Sequence, residues 1–145
     1  MTNKFNNDVR QQVEQLKSKK LWEIEREISA KRILWVKNNV KENVTSPRKA
    51  FELLFFIYMG LSESELIIIS ETENEIEWLS RNDCPTLEAC KKLNLDTKIV
   101  CKFAYEKSTQ AFLSQLNPQL RFSRSYSEIR PYHEHCREKI TKISR

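Results

Sequence analysis

The spacing of apolar residues predicts that the first 60 residues are helical. Between Asp8 and about Asn43, apolar residues recur at intervals of three and four, with charged or amide side chains between them. This is the period of one long amphipathic helix, or of two. Thr45-Ser46-Pro47 supplies a cap and a first-turn proline for a further helix, Arg48 to Met59, which Gly60 can end in the left-handed conformation.

After Gly60 the period changes to the alternation that is typical of strands. A β-branched run at 66–69, turn residues at 72–74 and alternating Ile76 and Trp78 predict an antiparallel hairpin of about 65–71 with 75–82. Pro85 then begins a short helix that ends near Leu93.

The rest of the chain repeats this order. Asp96-Thr97 caps a helix of roughly 97–116, which Asn117-Pro118 ends. Alternation from Leu120 to Tyr126 predicts a third strand, and Cys136 to Ile143 a fourth. The sequence therefore predicts an α+β fold, with N-terminal helices followed by a mainly antiparallel sheet of about four strands packed against helices.

Length and composition fit a single folded domain. The chain has 145 residues, of which 39% are hydrophobic and 31% charged, enough apolar surface to form one core. We divide it into a helical N-terminal extension, residues 1–60, and an α+β ligand-pocket core, residues 61–145. The single glycine, Gly60, excludes phosphate-binding loops built on clustered glycines.

Charge alternates along the chain. Residues 1–50, 51–90 and 91–145 carry net charges of +6, −8 and +7. Such alternation fits pairing within the molecule or across a dimer, and no nucleic-acid-binding motif accompanies the basic segments, so we do not expect nucleic acid as a partner. The amphipathic region 8–43 must bury its apolar stripe on its own domain or on a partner, which makes a homodimer the expected assembly.

The expected location is the cytoplasm, without membrane insertion. No N-terminal segment has the pattern of a signal peptide, and the longest apolar stretch, 51–61, is too short to span a bilayer. In that compartment the four cysteines are expected to remain thiols.

Metal binding is not predicted, and no cofactor is expected. The cysteines, Cys84, Cys90, Cys101 and Cys136, are too widely spaced to form the close pairs of a zinc site. His133 and His135 lie beside Cys136, but on a strand Cys136 points away from both histidines. Their role is left open.

Cys84 is the strongest candidate for thiol chemistry. If Pro85 takes the first helical position, Cys84 is the cap, where free N–H groups and the helix dipole favour the thiolate and lower the pKa. The alternative is a small side chain that fills a strand-to-helix corner.

Two further positions could contribute to a site. Cys101 and Tyr105 share a helix stripe that should face the sheet, where Cys101 could equally be core packing. Arg124 lies on the strand face of Leu120 and Phe122, and an arginine among core positions needs an anionic partner. That partner could be a ligand carboxylate or an acid of residues 63–88, or the arginine could lie at the sheet edge.

The C-terminal half resembles a known family. Cys84, Cys101, Asn117-Pro118-x-Leu120, Arg124, Ile129 and Cys136 occur in the order found in the L-2-amino-thiazoline-4-carboxylic acid hydrolase family, over about residues 66–143. The resemblance implies a compact α+β domain with a ligand pocket, lined by Cys84, Cys101, Arg124 and Cys136, and cysteine-dependent hydrolytic opening of a thiazoline ring.

Two functional hypotheses follow. The first is a cysteine-assisted hydrolase acting on non-peptide C–N bonds of a small carboxylated amidine or thiazoline, with Cys84 and Cys101 as catalytic residues and Arg124, Cys136 and Tyr105 binding the ligand. The second is a non-catalytic ligand-binding or regulatory module that self-associates through its N-terminal helices. A general acid or base near the thiols would distinguish the two hypotheses, and only His133 or His135 could serve near neutral pH.

Overall fold

A computed structural model describes residues 3–143 of the chain. The elements are, in order, α1 (Asn3–Ser18), α2 (Leu21–Asn39), α3 (Pro47–Phe51), a first π-helical segment (Glu52–Tyr58), a 3₁₀ turn (Glu63–Glu65), β1 (Leu66–Thr72), β2 (Glu75–Ser80), α4 (Pro85–Leu93), α5 (Thr97–Val100), a second π-helical segment (Cys101–Glu106), α6 (Lys107–Leu116), β3 (Leu120–Ser125) and β4 (Cys136–Lys142). The predicted α+β class is confirmed.

The local signals in the first 60 residues act as predicted. The amphipathic region forms two helices rather than one, and the Glu23 carboxylate accepts a hydrogen bond from the Lys20 backbone N–H at the start of α2 (2.9 Å). Ser46 caps α3 by accepting from the Lys49 N–H (3.1 Å). The helix that begins there runs on through the first π-helical segment, and Gly60 follows it at φ +71°, in the left-handed region that favours glycine.

The four strands form one antiparallel sheet in the order β1-β2-β4-β3. The predicted alternation of β2 is confirmed, since Ile76, Trp78 and Ser80 are buried and their neighbours are less so. In the ladder, Trp78 pairs with Glu138, and Glu138 pairs with Arg124 on the other side. A row of large side chains therefore crosses three strands on the helix-covered face.

One core joins the N-terminal helices to the sheet. Phe51 of α3 packs edge-on against Trp78 of β2, with ring centroids 4.8 Å apart, and both side chains are fully buried. Val36 of α2 and Phe112 of α6 belong to the same cluster, and α1 packs against α4. The chain's own domain therefore buries Val9, Ile24 and Val36 of the apolar stripe of α1 and α2, whereas Leu34 stays exposed.

Oppositely charged segments of the chain form ion pairs with one another within the molecule. The acidic segment 51–90 pairs with its basic flanks through Arg48–Glu71 (3.2 Å), Arg137–Glu77 (2.8 Å) and Lys139–Glu75 (3.7 Å). Within residues 3–143 no helix combines the length and the apolar character that crossing a membrane requires.

Candidate functional site

A cavity of about 260 Å³ lies between the sheet and the helices that cover it. All five residues singled out from the sequence line it: Cys84, Cys101, Tyr105, Arg124 and Cys136. The fold therefore brings residues that are far apart in the chain to the wall of one cavity. Their chemical roles remain predictions.

The secondary structure explains this convergence. Cys84 precedes α4, Arg124 lies in β3, and Cys136 is the first residue of β4. Cys101 and Tyr105 are one turn apart in the second π-helical segment. The first π-helical segment supplies apolar wall residues, so both π-helical segments of the described chain face the cavity. Such segments occur often at functional sites, because the wider turn re-aims side chains.

Arg124 pairs with Glu138, an acid of β4 that lies outside the segment 63–88. Its Nε and Nη2 donate to Glu138 Oε2 at 2.9 and 2.5 Å. Both side chains are almost fully covered, with 11% and 6% of their surfaces exposed. Burial by itself lowers the pKa of Arg124, but the adjacent Glu138 carboxylate outweighs this and raises the pKa above its ordinary value.

The pair leaves one donor of Arg124 unused. Nη1 is buried and has no well-aligned hydrogen-bond partner among the described residues. The nearby Tyr126 hydroxyl donates instead to Glu106 Oε1 (3.0 Å). Glu138 is by contrast fully engaged, because its Oε1 accepts from Ser80 Oγ (2.7 Å) and Trp78 Nε1 (3.2 Å).

Arg32 is a second buried guanidinium in the cavity wall, and sequence reasoning missed it. It is 8% exposed, and Nη1 donates to Thr109 Oγ1 (2.9 Å). Its Nε has no hydrogen-bond partner among the described residues. The Tyr58 ring centroid lies 5.8 Å from its Cζ. No carboxylate pairs with Arg32 in the described chain, and burial lowers its pKa.

Arg130 completes a set of three arginines. Its Nη1 donates to the Asn82 carbonyl oxygen (2.5 Å) and its Nε to Cys136 Sγ (3.3 Å). The turn that carries Arg130 is therefore tied to the end of β2 and the start of β4. The cavity wall holds three guanidinium groups and, among its residues, one carboxylate, Glu138.

Cys84 is at the predicted N-cap position of α4, but its pKa is not lowered as predicted. Pro85 is at the first helical position and Cys84 is the N-cap, with φ −113° and ψ 112°. Cys84 keeps only intermediate exposure, however, and burial raises the pKa of Cys84 despite nearby backbone N–H groups and Arg130. The expected lowering of the pKa is wrong because desolvation outweighs the helix start.

Burial also raises the pKa of two other thiols, Cys101 and Cys90. Burial raises the pKa of Cys101 to about 12. Cys90 is buried outside the cavity, and burial raises its pKa to about 11. Tyr105 donates its hydroxyl hydrogen to Gln12 Oε1 of α1, and burial raises the pKa of Tyr105. Gln12 of helix α1 therefore contributes to the lining of the cavity.

Neither histidine lines the cavity. His133 and His135 lie in the turn between β3 and β4, with ring centroids 4.5 Å apart. His135 Nε2 contacts Glu128 Oε2 at 2.9 Å. Cys136, the first residue of β4, lines the cavity, so Cys84, Cys101 and Cys136 have no histidine among the residues that line it with them.

Two of the missed residues carry a recognisable signal. Arg32 falls at four-residue intervals with Ile24, Ile28 and Val36, on the buried side of α2. Glu138 shares a strand face with buried Ile140. A charge on an apolar stripe or core-facing row indicates a buried ion or ligand contact. Arg130 gives no such signal, because it lies in an irregular turn.

The chain matches no model of a known protein family, and no curated protein matches it.

Proposed function

We propose that the cavity binds a small carboxylated ligand. The observation that supports this most directly is the buried guanidinium of Arg32 without a carboxylate partner. A charge removed from water is costly unless it is paired, and a bound carboxylate would supply the missing partner.

The unused donors support a carboxylate position beside Arg32 and Arg124. Arg32 Nε and Arg124 Nη1 are buried without a well-aligned hydrogen-bond partner among the described residues, and both residues line the cavity. Planar guanidinium groups suit the two oxygens of a carboxylate. The apolar walls and the volume of about 260 Å³ fit a small molecule.

The test compares two probes that differ only in the carboxylate: L-2-amino-thiazoline-4-carboxylic acid and 2-amino-thiazoline, titrated calorimetrically. The acid should bind at least about tenfold more tightly, which corresponds to about 1.4 kcal/mol. Arg32→Met should remove this preference, whereas Arg26→Met, on the exposed side of the same helix, should not. Equal binding of both probes, or of Arg32→Met and wild type, would contradict the proposal.

A cysteine-dependent hydrolase is the second candidate function. Cys84, Cys101 and Cys136 share one cavity, and Arg130 holds Cys136 in its wall. A thiol here would add to the amidine carbon of a thiazoline, a ring bond at that carbon would break, and the departing ring atom would take the thiol proton. Water would then add to the same carbon and expel the cysteine thiol, which leaves the ring-opened product and the free enzyme. Ligand binding fits better, because the cavity lacks a histidine and burial raises the pKa of Cys84 and Cys101.

Hydrolysis is tested by following loss of the thiazoline acid by NMR with purified protein. If the hydrolase function holds, Cys84→Ser should abolish turnover and Cys90→Ala, outside the cavity, should retain it. Binding without turnover in the wild type would leave only the non-catalytic module.

The further proposals concern location and assembly. Four free thiols suit a reducing, cytoplasmic compartment. A groove beside the α1–α2 junction exposes Trp22, Ile99 and Phe103 by 54%, 51% and 47%, and charges of both signs, Lys107 and Asp96, border it. Such a mixed surface can pair with its own copy in a twofold homodimer.

Sedimentation at rising protein concentration tests this assembly. Phe103→Glu should shift the equilibrium to monomer, and Ile57→Glu, exposed outside the groove, should not. A wild-type chain that stays monomeric would contradict it.

A further inference from the structure

The turn between β3 and β4 brings together a carboxylate and two imidazoles. Glu128, His133 and His135 each offer a ligand atom, and these atoms all lie within 4.8 Å of one another. The cluster shares no residue with the cavity. It is therefore independent of the ligand proposed above.

Backbone hydrogen bonds hold Glu128 in place beside His135. The Glu128 carbonyl oxygen accepts from the Arg137 N–H (3.0 Å), and the Glu128 N–H donates to the Ser125 carbonyl oxygen (3.3 Å). Glu128 is thus held against the start of β4, directly beside His135. His133, two residues earlier, places its exposed ring against that of His135.

The two histidines have ring nitrogen atoms that no protein group uses among the described residues. His135 uses Nε2 towards Glu128, while its buried Nδ1 has no partner among the described residues. No hydrogen bond or ion pair holds the exposed His133 ring in the described chain, so it is free to swing towards a metal. Arg137 also contacts Glu128 (3.5 Å), but its closer partner is Glu77 (2.8 Å).

We infer that Glu128, His133 and His135 form a binding site for a divalent transition ion of the zinc class. Two imidazoles and one carboxylate are a donor set for Zn²⁺ that leaves a fourth position open. Donors about 2.0–2.2 Å from an ion lie roughly 3–3.5 Å apart. His135 Nε2 and Glu128 Oε2 are already 2.9 Å apart, and because all three ligand atoms lie within 4.8 Å of one another, no pair has to close by more than about 1.5 Å on binding. The exposed His133 ring can make most of that movement.

This proposed site departs from the sequence-based expectation that no metal binds. That prediction considered Cys136 as the third ligand, and Cys136 indeed faces elsewhere. The third donor is instead Glu128, seven residues before His135 and outside any recognisable spacing motif. Only the folding of the turn onto β4 brings it there.

The test is zinc titration of the full-length, tag-free, reduced protein by calorimetry, with Co²⁺ as a spectroscopic probe. One Zn²⁺ per chain should bind with a dissociation constant of about 10 µM or tighter. The Co²⁺ complex should lack the sulfur-to-cobalt charge-transfer band that thiolate ligands give.

Variants assign the ligands. His133→Gln lies on the surface and should not disturb folding, and it should weaken zinc binding at least about tenfold, as should Glu128→Gln. Glu134→Gln, an exposed neighbouring carboxylate, and Cys136→Ser should bind as the wild type does. Absence of saturable binding, unchanged binding by His133→Gln, or loss of binding with Cys136→Ser would each overturn the inference.

Discussion

The guanidinium of Arg124 and the carboxylate of Glu138 form a two-donor contact across β3 and β4, at 2.9 and 2.5 Å to one carboxylate oxygen. The other oxygen is held from β2 by Ser80 and Trp78. One buried carboxylate thus ties three strands together beneath the cavity. The same contact directs the remaining Arg124 nitrogen away from Glu138.

Removing Glu138 should cost more stability than removing a surface acid. Glu138→Ala leaves Arg124 charged and buried without its partner, and strands the donors of Ser80 and Trp78, so the free energy of unfolding should fall by about 3–5 kcal/mol. Glu75→Ala, which breaks an exposed pair with Lys139, should cost under about 1 kcal/mol. Urea unfolding measures both. A loss for Glu138→Ala no larger than that for Glu75→Ala would show that the network contributes little.

Stability should fall as the pH rises above the ordinary thiol pKa. Cys101 ionises at about pH 9.0 when unfolded but only at about 12 when folded, so above pH 9 the folded state retains a proton that the unfolded state releases. The stabilisation is complete below pH 9 and is lost between pH 9 and 12, by up to about 1.4 kcal/mol per pH unit for one thiol. Cys101→Ala should make the decline less steep. Parallel stability curves for Cys101→Ala and wild type between pH 9 and 11 would contradict this.

Cys84 should react slowly in the folded protein near pH 7. Cys84 is only partly exposed, on the wall of the cavity, and burial raises its pKa, so thiolate is scarce and access is limited. Iodoacetamide labelling followed by mass spectrometry should give a rate at least about tenfold below that of the same residue in denaturant. Labelling of folded Cys84 at its unfolded rate would restore the activated-thiol interpretation.

The packing of helix α1 against the residues that line the cavity should depend on Gln12. Gln12 Oε1 accepts from the Tyr105 hydroxyl and, at 3.5 Å, from Thr86 Oγ1. Gln12→Ala leaves these partly buried hydroxyls without their acceptor and should cost about 1–2 kcal/mol. Hydrogen exchange should also speed up in α1. Gln11→Ala, exposed on the same helix, is the control, and equal exchange in the two variants would argue against this role.

Local sequence signals determined the elements of this protein. The period of apolar residues, the Ser46–Pro47 cap, the Pro85 helix start and Gly60 act through backbone geometry within a few residues, so they are readable without the fold. The strand alternation around Trp78 and Arg124 also predicted which side chains share the buried face of the sheet.

Tertiary structure alone decided the chemistry of the site. The partner of Arg124 depends on which strand pairs with β3 and in which register, which places Glu138 opposite it. The pKa of Cys84 depends on how much protein covers the sulfur, and the Glu128–His133–His135 cluster depends on how an irregular turn folds back onto β4. Burial and long-range pairing are properties of the packed chain, and no period or spacing in the sequence encodes them directly.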